Sequence, residues 1–140
     1  MGNWTLHDVS KKLRDIDLTM LMTRTQDGRI AGRPMSNNRD VEFTGDTFFV
    51  TSDQTRMVAD IERDRNVALS YCGHAEPTIF VTVQGEAELV RDKQAIRAHW
   101  NGDLARWFPR GPDTPHLIVI KVHASRIHYW DGEKEGEVVV

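Results

Sequence analysis

The chain of 140 residues has a single cysteine, Cys72. One thiol cannot form an internal disulfide, and a cysteine-rich metal site is excluded as well. The composition is therefore typical of a reducing compartment, and we interpret Cys72 as a small buried side chain. Because 39% of the residues are hydrophobic, the chain can bury a core without disulfides, and we expect one domain over residues 1–140.

Long apolar runs are missing too. No stretch approaches the roughly 20 apolar residues that a membrane-spanning helix needs, and residues 1–10 lack the basic and apolar segments of a signal peptide. Leu6 stands where a myristoylation motif requires Ser or Thr. We therefore expect a soluble, cytoplasmic protein without a membrane partner.

Charged residues of both signs are scattered, and the formal net charge is only −3. No nucleic-acid partner is expected, because binding nucleic acid requires a basic patch.

The six histidines show neither an HExxH motif nor ligand spacing to Asp or Glu, so no metal site is expected. The sequence also lacks GxGxxG, Walker A and nucleophile-elbow motifs, which argues against the Rossmann, P-loop and serine-hydrolase classes.

What is present is a series of short elements. A capping box from Thr5 to Asp8 predicts an amphipathic first helix that reaches Ile16. Two hairpins are predicted next, residues 18–25 with 29–37 and residues 41–43 with 47–51. Pro34 lies inside a predicted strand, and this position favours an edge strand because proline cannot donate to a β-ladder.

The rest of the chain continues the pattern. A helix is predicted over residues 52–64, with Met57, Val58 and Ile61 on one apolar face. A strand is predicted over 66–71, a loop over 73–77 and a long strand over 78–90 with a bulge or bend at Gly85. Asp92 caps a further predicted helix, residues 104–115 form an irregular loop, and residues 117–122 and 125–130 are predicted as closing strands. Residues 131–140 are too few for a domain. Short strands joined by turns, with a few helices, predict an antiparallel α+β barrel.

Two segments are candidates for binding an anion. In residues 48–56, a strand leads through the hydroxyl groups of Thr51, Ser52 and Thr55 to Arg56 at a helix start. Hydroxyl groups, amides and a guanidinium there favour a phosphate. The alternative is that these hydroxyl groups only cap the helix. Arg33, beside Pro34, either reaches a phosphate or is an ordinary surface arginine on an edge strand.

Aromatic residues are concentrated in the last third of the chain. They are Trp100, Trp107, Phe108, Tyr129 and Trp130. Such residues cap a ligand or build an interface, but core packing explains each of them equally well.

Taken in order, these segments resemble the pyridoxamine 5'-phosphate oxidase-like FMN-binding split-barrel family, and most closely its general stress protein 26 branch. The resemblance rests on Arg33-Pro34-Met35, on residues 49–52, 66–71 and 83–90, and most specifically on His99-Trp100, residues 107–113 and Tyr129-Trp130-Asp131. It implies the α+β class, as an antiparallel FMN-binding split β-barrel with a few short flanking helices. It also implies a homodimer with FMN at the subunit interface.

The resemblance further implies which residues bind the cofactor. In the family, the segment matched by residues 33–38 lines FMN, the segment matched by 50–52 and 56–57 holds the ribityl and phosphate groups, and the aromatic matched by Trp130 lies near the flavin. The expected cofactor-binding residues are Arg33, Pro34, Met35, Ser36, Val50, Thr51, Ser52, Arg56, Met57, Trp107 and Trp130. No catalytic residue is identified.

Three departures from the family pattern are visible. Met57 stands where the family usually carries a phosphate-binding lysine, so either weaker FMN binding or another flavin is expected, and Met57→Lys should tighten FMN. Phe80 replaces a glutamine that contacts the flavin. The stretch Arg-Leu-His-Asp-Arg, which holds substrate in true pyridoxamine phosphate oxidases, does not follow Trp130, so that activity is not expected.

The expected function is therefore that of a flavin-dependent oxidoreductase of the general stress protein 26 type. FMN is expected in preference to FAD or a deazaflavin, while the small-molecule substrate and the electron donor stay unidentified. One alternative is a non-enzymatic protein that buffers or senses flavin. Another is haem binding, which needs an axial ligand beyond an isolated histidine.

Overall fold

A computed structural model of the chain describes residues 4–37, 43–73 and 78–140. The first helix, α1 (Leu6–Leu13), begins at the predicted capping box. Thr5 Oγ1 accepts from the Asp8 amide at 3.2 Å, and the Asp8 carboxylate accepts from the Thr5 amide at 2.8 Å. These two bonds satisfy amide groups that the first helical turn leaves without partners.

The predicted first hairpin is confirmed as β1 (Leu18–Arg24) and β2 (Ile30–Ser36). β2 is the end strand of the described sheet and pairs only with β1 there, so that Pro34 is the register partner of Met20. Proline is tolerated on an edge strand because it donates no hydrogen bond to a further neighbour. The expectation for Pro34 is therefore confirmed.

The second predicted hairpin differs from the structure. Residues 41 and 42 lie outside the described part of the chain, and Phe43 is buried but outside any strand. The observed partner of β3 (Asp46–Ser52) is the distant strand β6 (Leu117–Asp131). The alternation of apolar and polar residues identified the strand, but it does not indicate which distant strand is the partner.

The second helix, α2 (Arg56–Arg63), begins four residues later than predicted, because Thr55 is its N-cap. Thr55 Oγ1 accepts from the Val58 amide at 3.2 Å. The predicted apolar face is confirmed, since Met57, Val58 and Ile61 are all buried.

The remaining elements are β4 (Asn66–Cys72), β5 (Ile79–Val90), α3 (Lys93–Ala98), 3-10 helices over Gly102–Arg106 and Gly111–Asp113, β6, and β7 (Lys134–Val138). Residues 117–122 and 125–130 were expected as separate strands but form one, and β7 was missed. Cys72 is exposed, so its interpretation as a buried side chain was wrong. Residues 74–77 of the predicted loop lie outside the described residues.

The described strands form one antiparallel sheet in the order β2-β1-β4-β5-β6-β3, with β7 also paired to β6. Along one edge of β6, residues 117–123 pair with β3 and residues 127–131 pair with β7. Its other edge pairs with β5, where the register shifts between Gln84 and Gly85. The predicted bulge at Gly85 is confirmed, as is the antiparallel α+β class.

Side chains from the strands and from α1 and α2 share the main hydrophobic core. A second, smaller core lies where α3 and the first 3-10 helix cover β3 and β6, and it comprises Val50, Ile96, Leu104, Leu117 and Val119. In β2, β1, β4, β5 and the second half of β6, the side chains that point away from the main core form a surface that we call the outer face. In the part of the chain that is described, no helix is long and apolar enough to cross a membrane.

The Gly85 bulge gives a prediction about stability. A Cβ at Gly85 would lie 2.3 Å from the carbonyl oxygen of His123, so Gly85→Ala must push β5 away from β6. We expect a loss of roughly 1–3 kcal/mol in the free energy of unfolding, typical of overpacking. Urea denaturation measures it. Gly102→Ala is the matched control, because no atom lies within 4 Å of its added Cβ, and equal losses in both variants would contradict the explanation.

Candidate functional site

A depression of about 770 Å³ lies between α2 and the β1–β2 hairpin. Three guanidinium groups line it, from Arg33 on β2 and from Arg56 and Arg63 on α2, together with Asp60 and residues of the hairpin turn. We call it the arginine depression. It thus brings together two of the predicted cofactor residues, Arg33 and Arg56.

Asp60 is the buried centre of this depression, with 5% of the residue exposed. Its Oδ1 accepts from Arg63 Nη2 at 2.7 Å, and its Oδ2 accepts from Thr23 Oγ1 at 2.9 Å. Arg33 Nη2 lies 3.8 Å from the same Oδ2. A buried carboxylate needs such partners, since its desolvation is otherwise uncompensated.

Arg33 projects from β2 toward the core side of the sheet and is held by several acceptors. Its Nη1 donates to Thr23 Oγ1 at 2.8 Å, to the Leu21 carbonyl at 3.2 Å and to the Ala31 carbonyl at 3.3 Å. Burial lowers the pKa of Arg33 from its ordinary value, while the nearby Asp60 carboxylate opposes that shift. An arginine remains charged under these conditions, so this guanidinium is a fixed cation.

Arg56 differs from Arg33 in its surroundings. It is the first residue of α2, and its side chain is exposed. Within residues 4–37, 43–73 and 78–140, no hydrogen bond or ion pair joins Arg56 to another side chain. Its position at the helix start also places it where the helix dipole favours an anion.

The turn between β3 and α2 holds the predicted hydroxyl groups. Ser52 Oγ accepts from the Gln54 amide at 3.2 Å, and Thr55 Oγ1 donates to the Ser52 carbonyl at 3.2 Å. The turn is fixed from outside, because the Asp53 amide donates to the His116 carbonyl at 2.7 Å and Arg91 Nη1 lies 3.0 Å from Asp53 Oδ2. The capping interpretation therefore describes Thr55, which is the N-cap of α2, whereas Ser52 stabilises the turn before the helix.

Three predicted residues direct their side chains into hydrophobic surroundings. Met57 is buried in the main core with 5% exposed, Val50 is buried in the second core, and Met35 packs against the main core. Because the side chain of Met57 is buried, its main-chain amide is the group that could face a phosphate. The expectation that a lysine at position 57 would point to the phosphate therefore loses its structural basis.

Strand alternation separates the remaining predicted residues. Pro34 and Ser36 lie on the outer face, whereas Thr51 is half-buried on the core side of β3. Trp130 is on the outer face of β6, where its ring stacks on His128 with the ring centroids 4.4 Å apart. Both residues border a small depression of about 160 Å³. Trp107 is 66% exposed at the end of the first 3-10 helix and lines neither of these depressions.

The strand order gives the separation between Pro34 and Trp130. β2 and β6 are four strands apart in the sheet, which corresponds to about 19 Å along its surface at about 4.8 Å per strand. One ring system cannot contact both residues within a single subunit.

Sequence reasoning missed Asp60 and Arg63. A signal was present, since Asp60 lies three residues after Met57 and beside Ile61, on the apolar face of the predicted helix. A carboxylate in that position requires a buried partner. Arg63 follows at the next i+3 position, where such a pair forms on a helix.

Acid–base chemistry has little support near the core. Burial raises the pKa of Tyr71 to about 12, so its phenol stays neutral. Burial also lowers the pKa of His99, with a further contribution from the charge of Lys121. Within the described part of the chain, no group of three or more His, Cys, Asp or Glu residues could hold a metal ion.

Comparison with known proteins gives matches along almost the whole chain. Residues 5–140 match the family model described as pyridoxamine 5'-phosphate oxidase like. The protein bli-3 of Neurospora crassa is 25% identical over 133 residues, which cover 89% of this chain and 63% of that protein. The chain therefore spans less than two thirds of the length of this relative.

Two solved structures show the fold. A Clostridium acetobutylicum protein related to general stress protein 26 has a TM-score of 0.80 at 16% identity, with 94% of this chain and 92% of that chain covered. A heme binding protein from Mycobacterium smegmatis has a TM-score of 0.77 at 15% identity, covering 98% of this chain and 58% of that chain. These likenesses confirm the split-barrel fold.

The burial of Met57 leads to a prediction. Met57→Lys should lower the free energy of unfolding by roughly 2–4 kcal/mol, because it places an unpaired cation in the core, and it should not tighten FMN binding. Met57→Leu is the control and should cost less than about 1.5 kcal/mol. Thermal melts and FMN titration of both variants measure this. A stable Met57→Lys variant with tighter FMN binding would place the side chain at the phosphate after all.

Proposed function

We propose that this chain, which belongs to the pyridoxamine 5'-phosphate oxidase-like family, binds FMN and acts as a flavin-dependent oxidoreductase. One observation carries the proposal. Arg33 and Arg56, which the family resemblance assigns to the cofactor, come from different elements and line the same depression.

The residues present fit the phosphate end of FMN. A volume of about 770 Å³ lies within the range of roughly 300–1,000 Å³ that is usual for ligand pockets. Guanidinium groups bind phosphate through charge-assisted, frequently bidentate hydrogen bonds. Arg33 is already held by Thr23 and two carbonyls, so binding would cost little side-chain entropy there.

FMN, when bound, supplies hydride and single-electron transfer, and the protein supplies binding, orientation and electrostatics. In this chain, Arg33 and Arg56 would hold the phosphate. The first amide groups of α2, from Arg56 onward, would lie near the same anion. Pro34 and Ser36 on the outer face of β2 would contact the ring.

We further propose a homodimer that shares the cofactor sites. Because Trp130 lies four strands from β2, the aromatic contact expected near the flavin of one subunit must come from the second. The outer face also exposes Leu18, Met20 and Phe80, an apolar group that association with a second copy would cover.

A flavin carrier without enzymatic activity is the second candidate. It is favoured by the lining of the arginine depression, where the described carboxylates already have partners: Asp60 binds Arg63, and Asp27 lies 3.3 Å from Arg29. No proton donor is thus poised at this part of the site among the described residues. Steady-state oxidation of NADPH, NADH or a reduced deazaflavin by the FMN-loaded protein separates the two candidates.

The absorption spectrum of freshly purified protein tests the cofactor. We expect the two bands of an oxidised flavin, or their appearance on titration with FMN. A Soret band would instead indicate haem, as the name of the Mycobacterium smegmatis neighbour states for that protein, and would overturn the proposal.

Arg56→Ala tests the phosphate assignment. We expect FMN affinity to fall roughly tenfold, because a charge-assisted hydrogen bond contributes about 1.5–3 kcal/mol, while riboflavin, which has no phosphate, binds as before. Arg110→Ala is the control, since Arg110 lies in the loop before the second 3-10 helix and does not line the depression. Equal losses for FMN and riboflavin in Arg56→Ala would remove Arg56 from the phosphate site.

Light scattering tests the dimer. We expect twice the monomer mass of 16.0 kDa for the native chain, and the monomer for Met20→Glu, because that charge falls within the apolar outer face. Val139→Glu, at a position with 90% exposure near the end of β7, should remain dimeric. A native chain of monomer mass at micromolar concentration would contradict the assembly.

A further inference from the structure

Arg63 occupies a position that neither the family resemblance nor the comparisons assign to any role. It lies two helical turns after Arg56 on the same side of α2, and both residues line the arginine depression opposite Arg33. Residues seven apart on a helix share a face. Three arginines therefore line one depression.

The charges of the depression do not balance. Asp60 is the carboxylate between Arg33 and Arg63, and Asp27, which also lines the depression, is accompanied by Arg29. The three arginines and two carboxylates of the lining leave a surplus of one positive charge. Arg29, which pairs with Asp27 but does not itself line the depression, raises the surplus to two. A phosphate monoester carries about −1.5 to −2 at pH 7, so its charge matches this surplus.

Asp60 also orients Arg63. The salt bridge of 2.7 Å uses Nη2 of the guanidinium, and an arginine has five N–H donors in a planar fork. Donors beyond the one directed at Asp60 therefore remain for a second anion. The buried carboxylate, with Thr23 and Arg33 beside it, fixes the base of this arrangement.

We propose that Arg63 is a third phosphate-binding arginine, which together with Arg33 and Arg56 makes the depression selective for a phosphate monoester. The inference rests on the proposed function where that monoester is FMN. In this arrangement Asp60 is a positioning residue, and Arg63 determines selectivity for phosphorylated over unphosphorylated flavin.

The test compares Arg63→Gln and Arg63→Lys with Arg65→Gln. Arg65 is a suitable control, because it is an exposed arginine two residues further on and pairs with Glu86 at 3.5 Å, away from the depression. Dissociation constants for FMN and riboflavin are measured by flavin fluorescence at two salt concentrations, with a melting curve for each variant.

For Arg63→Gln we expect FMN affinity to fall about tenfold and riboflavin affinity to change less than about twofold, since riboflavin lacks the phosphate. The loss should shrink at high salt, because screening weakens the contact in the native chain. Arg63→Lys should retain part of the affinity, and Arg65→Gln should bind like the native chain. If Arg63→Gln does not fold, Arg63→Lys decides, because it keeps a charge opposite Asp60 but loses the planar fork.

The outcomes separate this inference from the proposed function. If Arg56→Ala loses FMN selectively while folded Arg63→Gln binds FMN normally, the inference is overturned and the proposed function stands. Equal losses of FMN and riboflavin in Arg63→Gln also overturn it. If the native chain binds no flavin, the proposed function fails, and the melting temperature is then measured with and without inorganic phosphate. A rise in the melting temperature of the native chain that Arg63→Gln lacks supports the inference. An equal rise in both proteins overturns it.

Discussion

The pairing of β6 on both of its edges is the constraint on which the rest of the structure depends. β5 follows it along one edge, while β3 and β7 divide the other edge between them. The register between β5 and β6 shifts where Gly85 approaches the His123 carbonyl most closely. The first half of β6 lies between the two cores, and the second half has an outer face. A side chain at Gly85 would therefore disturb both halves. Because Ser125 has no partner on β5 at this shift, the alternation of β6 changes there, and His128 and Trp130 lie on the outer face.

The second constraint is electrostatic and acts through Asp60. A carboxylate on the apolar side of α2 must be neutralised, and here the partners come from α2 itself and from the hairpin. The helix is thereby tied to β1 and β2 by polar contacts at its exposed margin and by Met57, Val58 and Ile61 in the core. The cations that satisfy the carboxylate are the same ones that line the depression. Stability of the helix and the proposed anion site would thus use the same groups.

Local features were predictable from the sequence because each depends on neighbouring residues. The capping box at Thr5 and the first hairpin belong to this group. Glycine at position 85 indicated the bulge through its residue type alone, although the shift itself lies in the pairing of β5 with β6. The partner of β3 was not predictable, since residues 46–52 pair with a strand some seventy positions away and alternation does not name a partner. β7 was missed because Lys-Glu-Gly-Glu-Val has little β propensity, and it forms a strand through its pairing with β6.

Individual residues of the candidate site were predictable, but their arrangement in space was not. Arg33 and Arg56 were found through the resemblance, and the structure brings them together, whereas the side chain of Met57 faces the core because it shares a helix face with Ile61. Sequence matching transfers identity at a position. It does not transfer the direction of a side chain. For Met57 that direction follows from helical periodicity, which places it with Val58 and Ile61 on the apolar face.

Strand alternation then decides what kind of site the predicted residues can form. Arg33 and Pro34 are consecutive, so their side chains leave β2 on opposite sides of the sheet. A ligand held by both must pass around the edge of β2, because β1 blocks the other side. Pro34 keeps a donor off that edge, since proline has no amide hydrogen to recruit a further strand. In the proposed function, the ring side of such a ligand would lie on the outer face, where a second copy of the chain would cover it. The edge strand, the proline and the apolar outer face are therefore parts of one arrangement.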